Sequence, residues 1–107
     1  MQAIRPIPRM LLNQTMEVRE PLSDGTYGAA KTIGHVRFER CEDVSDDAHR
    51  AAYVSGTIFV DGVMSEGAYQ VPVGSRIGIG GLDLYVRQVK RFEGAQGRIH
   101  HWELSVS

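Results

Sequence analysis

Cysteine is almost absent from this sequence, as are long apolar runs and any excess of charge of one sign. Cys41 is the only cysteine, so no disulfide can form within the chain, which fits folding in a reducing cytosol. No apolar run approaches the roughly 18 residues of a membrane-spanning helix, so no membrane partner is expected. The opening MQAIRPIPRMLL also lacks the long apolar stretch of a secretory signal.

The charges nearly cancel. Twelve Lys and Arg residues stand against 13 Asp and Glu, for a formal net charge of -1. General nucleic-acid binders usually carry a strongly basic face, so this balance argues against that class and leaves room only for a local patch. The 107 residues and 42% apolar content suit one modest core. We therefore predict one compact domain over residues 1–107.

Alternation with a period of two indicates strands along most of the chain. Leu12, Gln14, Met16 and Val18 fall on one face of an extended segment, and polar residues fall on the other. The stretch KTIGHVRFER resumes the alternation after turn-forming residues that include Asp24-Gly25. The segment YVSGTIFVDG predicts another strand, and residues 61–72 are predicted to have no regular secondary structure.

The second half of the chain predicts a hairpin and a closing strand. Gly80-Gly81 joins two strand-like segments as a two-residue turn. Val89 falls out of register with Leu84 and Val86, which indicates a bulge of the kind that small barrels use at corners. RIHHWELSV closes the chain. The sequence thus predicts an all-β fold, a small barrel or sandwich of about six strands with long loops.

An acidic stretch interrupts the strands between Cys41 and Ala52. It is either a loop or a short helix near residues 45–52, which Ser45, Asp46 and Asp47 would start. The spacing of its carboxylates does not match a calcium loop. The stretch is therefore either a solvated loop or a charged surface facing a partner or a channel. Its candidate residues are Glu42, Asp43, Asp46 and Asp47.

The adjacent imidazoles of His100 and His101 are the most conspicuous candidates for chemistry. Neighbouring side chains in a strand point to opposite faces, so the two rings are expected to diverge and not to hold one metal ion. His100 would lie beside Trp102, and His101 would lie on the polar side, where a subunit contact could form. We predict structural or interface roles for His100, His101 and Trp102, with no metal.

No other pattern indicates catalysis. The GIGGLD segment lacks the helix that must follow a dinucleotide-binding loop, so a hairpin explains it better. Arg87, Lys90 and Arg91 form a weak basic stripe, because alternation places Arg87 and Arg91 on one face. A small-barrel nucleic-acid-binding module using these three residues stays open as an alternative. We expect no enzymatic activity and no cofactor.

Five motifs, in order, resemble a known family. IRPIPRMLL, YGAAKTIGHVRFER, SGTIFVDG, VGSRIGIGGLDLYVRQVKRFEG and GRIHHWELSV are similar to successive segments of the minor capsid proteins of tailed bacteriophages. The resemblance is to members whose genes lie between the head and tail genes. Residues 41–52 and 62–72 depart from it. On this resemblance the His-His pair is a family feature of a terminal strand.

The resemblance implies a head-closure or stopper role at the head–tail junction of the virion. The protein would be a homo-oligomeric ring below the portal and adaptor and above the tail or tail terminator, and it would retain packaged DNA without sequence-specific binding. Before assembly it would lie in the host bacterial cytoplasm. A tail-completion or decoration subunit is the alternative structural role.

Two segments are candidates for the contacts of such a ring. Residues 1–9, with Arg5, Pro6, Pro8 and Arg9, are expected to form an extended docking arm, because the prolines disfavour a helix. The acidic stretch would repel phosphates if it faced a DNA channel.

Overall fold

The computed structural model describes residues 12–42 and 54–107, which form a closed antiparallel barrel of six strands. The strand order around the barrel is β1-β2-β3-β6-β5-β4, and the all-β prediction with about six strands is confirmed. The short helix proposed near residues 45–52 lies outside the described residues. The strands are β1 (Gln14–Arg19), β2 (Lys31–Glu42), β3 (Val54–Asp61), β4 (Arg76–Ile79), β5 (Leu82–Glu93) and β6 (Ile99–Val106), with a 3-10 turn at Ala95–Gly97.

Two of the hairpin turns are the ones that the sequence predicts. Gly25 has a φ of +85°, and the side chain of Asp24 accepts the backbone N–H of Thr26 at 3.0 Å. Gly80 and Gly81 have φ values of +56° and +79°. Positive φ at both central residues is the requirement of the hairpin turn whose twist matches the flanking strands. The Gly80-Gly81 turn leads directly into β5, whereas the Asp24-Gly25 turn lies within the longer connection between β1 and β2.

The two 12-residue strands, β2 and β5, form the corners of the barrel, because each changes partner midway along its length. The first half of β2 pairs with β1 and its second half, residues 36–42, pairs with β3. Residues 82–85 of β5 pair with β4, and residues 86–93 pair with β6. The barrel therefore consists of two layers. Layer A contains β2(36–42), β3, β6 and β5(86–93), and layer B contains β2(31–36), β1, β4 and β5(82–85).

A bulge lies at each corner. In β2, Gly34 and His35 lie opposite the single residue Thr15 of β1, and His35 has a φ of +53°. In β5, Val86 and Gln88 oppose the consecutive Val106 and Ser105, so Arg87 is the extra residue. Bulges bend a strand and increase its twist. The β5 bulge confirms the break in register that the position of Val89 predicts.

Inward-facing side chains of both layers fill the barrel. The alternation predicted for the first strand is confirmed, since Met16 and Val18 are buried while Glu17 and Arg19 are exposed. Each fully buried aliphatic side chain contributes roughly 1.5–3 kcal/mol by leaving water. The buried core consists of Met16, Val18, Ile33, Val36, Ile58, Val60, Val71, Ile77, Ile79, Leu84, Val86, Trp102, Leu104 and Val106.

No helix within residues 12–42 and 54–107 is long and apolar enough to cross a membrane.

Candidate functional site

The terminal His pair lies at a third bulge, and there the prediction that the two rings diverge is wrong. Phe92 and Glu93 of β5 oppose His101 and Ile99 of β6, so His100 is the extra residue. A bulge interrupts the strict alternation of faces. The two imidazoles consequently approach each other, with 2.7 Å between their Nδ1 atoms and an edge-to-face ring arrangement.

His101 lies in the middle of a chain of hydrogen bonds on β6 that also includes His100 and Glu103. Its Nε2 lies 3.0 Å from Oε2 of Glu103, and an ionised carboxylate can only accept a hydrogen bond. With both rings neutral, Nε2 of His101 donates to Glu103 and Nδ1 accepts from Nδ1 of His100. Phe92 stacks on the His101 ring with centroids 4.5 Å apart. The hydrogen bonds thus orient the His101 ring within β6, and its stacking on Phe92 joins the start of β6 to β5. Trp102 is buried in the core and donates to Gln70 at 3.3 Å.

A second polar cluster anchors the loop after β3 to the β2 corner. Asp61 is fully buried, and its Oδ1 accepts the backbone N–H groups of Val63 and Met64, each at 2.8 Å. Ser65 accepts the backbone N–H of Asp61 at 2.9 Å and donates to the carbonyl of His35 at 2.6 Å. Buried polar groups are costly unless they are hydrogen-bonded. This cluster therefore fixes the β2 corner.

The prediction from the sequence missed Asp61 as a structural residue. The available signal was its position at a strand end, followed by Gly62 and, four residues on, Ser65. An Asp side chain that accepts backbone N–H groups two residues ahead is a common turn device. The alternation could not show its burial, because Val60 and Asp61 are consecutive and both are buried.

The same loop, residues 62–75, contacts the barrel at two further points. The Tyr69 hydroxyl donates to Oε2 of Glu20 at 2.9 Å, and Lys31 pairs with the same carboxylate and lies over the Tyr69 ring. The hydrogen bonds from Lys31 and then Tyr69 lower the pKa of Glu20, while burial and the bond to Glu20 raise the pKa of Tyr69 to about 12. At its end, the loop forms backbone bonds between Gly74, Ser75 and Val86. It therefore joins the two corners.

The predicted basic stripe on β5 does not form. Arg87 is the bulge residue; it lies over the Tyr85 ring and donates to Oγ of Ser107 at 2.9 Å. Arg91 is opposite the buried Trp102 in the register and pairs with Glu93 at 3.0 Å. The bulge changes the parity of the strand, so the expectation that Arg87 and Arg91 share a face is wrong.

The other predicted site residues are only partly within the described chain. Glu42 is the last residue of β2, where its Cα is opposite Val54. Asp43, Asp46 and Asp47 lie outside the described residues, and so does the proposed docking arm with Arg5, Pro6, Pro8 and Arg9.

No candidate metal site is present in the described part of the chain. Within residues 12–42 and 54–107, no three His, Cys, Asp or Glu side chains converge as metal ligands. An open concavity of about 540 Å³ lies beside the β2 corner and is lined by Gln14, Thr15, His35 and Glu66, among others. His35 and Glu66 approach to 3.5 Å there. The arrangement suits contact surfaces and structural anchoring.

Comparison with known proteins identifies the family of this chain. Residues 8–106 match a family described as minor capsid protein. No curated protein and no solved structure matches the chain. The match covers all six strands of the barrel. It agrees with the resemblance of the sequence motifs, which pointed to the same family. The chain belongs to the minor capsid protein family.

Proposed function

We propose that this phage structural protein closes the head at the head–tail junction, as a ring below the portal and adaptor that retains packaged DNA and receives the tail. Its family places it among structural components of the virion, which favours a role without catalysis. The observation that carries the proposal is the family match over residues 8–106. The order of the five sequence motifs adds to it, because it resembles that of family members whose genes lie between the head and tail genes.

The architecture supports a part that works through contacts. The described strands make a closed barrel, so unpaired strand edges are confined, among the described residues, to the stretches of β2 and β5 beyond their partners in layer B. Loops lie at both ends of the strands, and loops can vary to suit a neighbour while the barrel stays rigid. Contacts with other virion proteins are what a capsid family implies.

The charge pattern also suits a protein that DNA passes without sticking. The chain has a formal net charge of -1, and affinity for DNA comes largely from cations that neutralise phosphates. The residues Glu42, Asp43, Asp46 and Asp47 form an acidic stretch in the sequence. We propose that this stretch faces a partner or the DNA channel, and that residues 1–9 dock on the adaptor or portal.

Electron cryo-microscopy of purified virions tests the location. We expect a ring of barrels of this size between portal and tail, into which residues 12–42 and 54–107 fit. Density on the capsid surface would instead indicate a decoration subunit. Density at the top of the tail would indicate tail completion, and either result would overturn the head-closure role.

Deleting the gene tests the function separately. Particles without this protein should package DNA and then lose it, and free tails should accumulate, because the head is not closed. The readout is the ratio of DNA-filled to empty heads in electron micrographs. Stable DNA-filled heads with attached tails in the deletion strain would contradict the proposal.

A further inference from the structure

We propose that the outer surface around Tyr85, where β1, β4 and β5 lie side by side, binds an acidic segment with an apolar side chain on another virion protein. This docking surface combines three arginines with three exposed apolar or aromatic side chains. Its residues are Arg19, Leu22, Tyr27, Val73, Arg76 and Arg87. The role rests on the proposed function in its choice of a virion protein as the partner, and it holds wherever in the virion this protein lies.

Two of the arginines form an unfavourable pair. Arg19 of β1 and Arg76 of β4 lie directly opposite each other in the strand register. Like charges in directly opposed positions destabilise a sheet. Among the described residues, no other directly opposed pair in the strand registers carries two charges of the same sign. A local conflict of this kind is expected where function, and not stability, determines the residue types.

The third arginine and two tyrosines lie next to this pair. Tyr85 of β5 is opposite Arg76 in the register, and Arg87 lies over the Tyr85 ring, with its Cζ 5.4 Å from the ring centroid. The ring of Tyr27 has its centroid 6.3 Å from that of Tyr85. The cations are therefore gathered around aromatic rings. Arginine and tyrosine are the residue types that dominate the energy at the centres of protein interfaces.

The arginines outnumber their carboxylate partners. Asp83 pairs with Arg76 at 3.2 Å, and Asp83 and Glu17 line an open concavity of about 300 Å³ together with Arg19 and Arg76. Within residues 12–42 and 54–107, no carboxylate forms an ion pair with Arg19 or Arg87. A carboxylate from a partner, placed between Arg19 and Arg76, would replace their repulsion with two attractive charge contacts.

Exposed apolar side chains adjoin the arginines. Leu22, Tyr27 and Val73 are 49%, 37% and 59% exposed, and they are three of the four exposed large hydrophobic residues in the described part of the chain. Pro21 connects them, because it forms a bridge with Tyr27, and a Cβ built at Gly74 would lie 3.7 Å from its Cγ. Clustered apolar exposure beside polar residues is typical of a protein-binding surface.

This combination of side chains selects the class of partner. A DNA backbone lying across the surface would bring phosphates against Glu17 and Asp83, whereas a protein segment can place its carboxylate at the arginines and its apolar side chain at Leu22. Other glutamates of the described chain already lie beside basic side chains, so they do not supply the complement from a second copy. These pairs are Glu20 with Lys31, Glu39 with Arg37, Glu66 with His35, Glu93 with Arg91 and Glu103 with His101.

Photocrosslinking in virions identifies the partner. We would place p-benzoylphenylalanine, a photoreactive amino acid, at position 22 or 27 by amber suppression and irradiate purified particles. We expect a cross-link to one other virion protein, which mass spectrometry should map to a peptide containing Asp or Glu. The matched control position is Val63, which is 73% exposed and lies outside the docking surface, and it should not cross-link to that peptide.

The other products have distinct meanings. Cross-links only to DNA would show a nucleic-acid surface, and cross-links only to this chain would show a contact between copies. Either result, or no cross-link at both positions, would overturn the proposed partner. A cross-link from Val63 to the same peptide would show that the contact is not specific to the docking surface and would also count against it.

Charge reversal at Arg19 separates docking from folding. Arg19→Glu should lower the titre of infectious particles by roughly tenfold or more, because reversing a charge at the centre of an interface weakens binding. The urea midpoint of the purified protein should rise, since the repulsion from Arg76 becomes an attraction. Arg98→Glu, at an exposed arginine just before β6, is the matched control and should leave the titre unchanged.

A compensating change completes the test. Replacing the acidic residue of the cross-linked peptide with Lys should restore the titre of the Arg19→Glu phage. An unchanged titre for Arg19→Glu, or a titre that falls only together with the urea midpoint, would contradict docking. The expected cross-link in particles whose density places this protein elsewhere would refute head closure and leave the docking surface in place. Density at the junction without a cross-link would refute only the docking surface.

Discussion

At each of the two corners of the barrel, a bulged strand passes from one layer to the other, but different contacts stabilise the two bulges. At the β2 corner, the bulge contains a non-glycine residue, His35, at a φ of +53°, and the buried Asp61 and Ser65 anchor its backbone. At the β5 corner, the bulge residue Arg87 is exposed and its side chain contacts Tyr85 and Ser107 near the surface. A left-handed backbone at a non-glycine residue costs about 1–2 kcal/mol and persists where surrounding contacts hold it.

The difference indicates that the corners should respond differently to substitution. The β2 corner depends on a few buried polar groups. Removing one of them leaves its hydrogen-bond partner unsatisfied, which lowers the free energy of unfolding. The β5 corner depends on two backbone hydrogen bonds, from the Gly74 N–H to the Val86 carbonyl and from the Val86 N–H to the Ser75 carbonyl, which side-chain changes leave in place. We therefore expect a fragile corner and a tolerant one, joined by the loop 62–75.

The largest effect is expected for Asp61→Ala at the β2 corner. The substitution removes the acceptor of the part-buried N–H groups of Val63 and Met64, and leaving such a donor unsatisfied costs up to about 1–3 kcal/mol. We expect a loss of about 2–4 kcal/mol in the free energy of unfolding, measured by urea denaturation. Asp61→Asn, which keeps the Oδ1 acceptor, should retain most of the stability. Equal losses for both variants would show that the hydrogen bonds are not the cause.

A smaller effect is expected at the turn that starts β5. A Cβ at Gly81 would meet no atom within 4 Å, but the φ there is +79°, so Gly81→Ala should cost about 1–2 kcal/mol from backbone strain alone. Gly80→Asn should be close to neutral, because Asn followed by Gly suits this turn. Thermal unfolding of both variants measures the difference. A neutral Gly81→Ala would contradict the turn geometry.

The loop between the corners should give the barrel a pH dependence at high pH. Burial and the bond to Glu20 raise the pKa of Tyr69 to about 12, whereas a tyrosine in the unfolded chain titrates near 10. Between about pH 10 and 12 the unfolded state releases this proton first, so stability falls as the pH rises. The decline should be shallower in Tyr69→Phe, measured as the free energy of unfolding against pH. Identical slopes would exclude Tyr69 as a source.

The smallest effect is expected for Arg87→Ala at the β5 corner. The variant loses the bond to Ser107 and the contact with the Tyr85 ring, both at an exposed position, so the change should stay within about 0.5 kcal/mol. Urea denaturation under the conditions used for Asp61→Ala gives the comparison directly. A loss as large as that of Asp61→Ala would remove the distinction between the corners.

Much of the fold followed from local patterns in the sequence. The period of two marked the strands, Asp24-Gly25 and Gly80-Gly81 marked two turns, and Val89 revealed the β5 bulge. The β2 bulge was missed although Ile33 and Val36, three positions apart, are both apolar and buried, which only an extra residue between them allows. The predicted divergence of His100 and His101 failed for the same reason, since an extra residue changes which side chains share a face.

What the sequence determined by itself is the set of strands, the two glycine turns and the kind of core, because alternation and backbone preference are local properties. The family also follows from the sequence alone. The tertiary structure decided the bulges at His35 and His100, the burial of Asp61, the contact of His100 with His101 and the placement of β2 opposite β5. These features depend on which strands pair and in what register, and pairing joins residues far apart in the chain, such as His35 and Ser65.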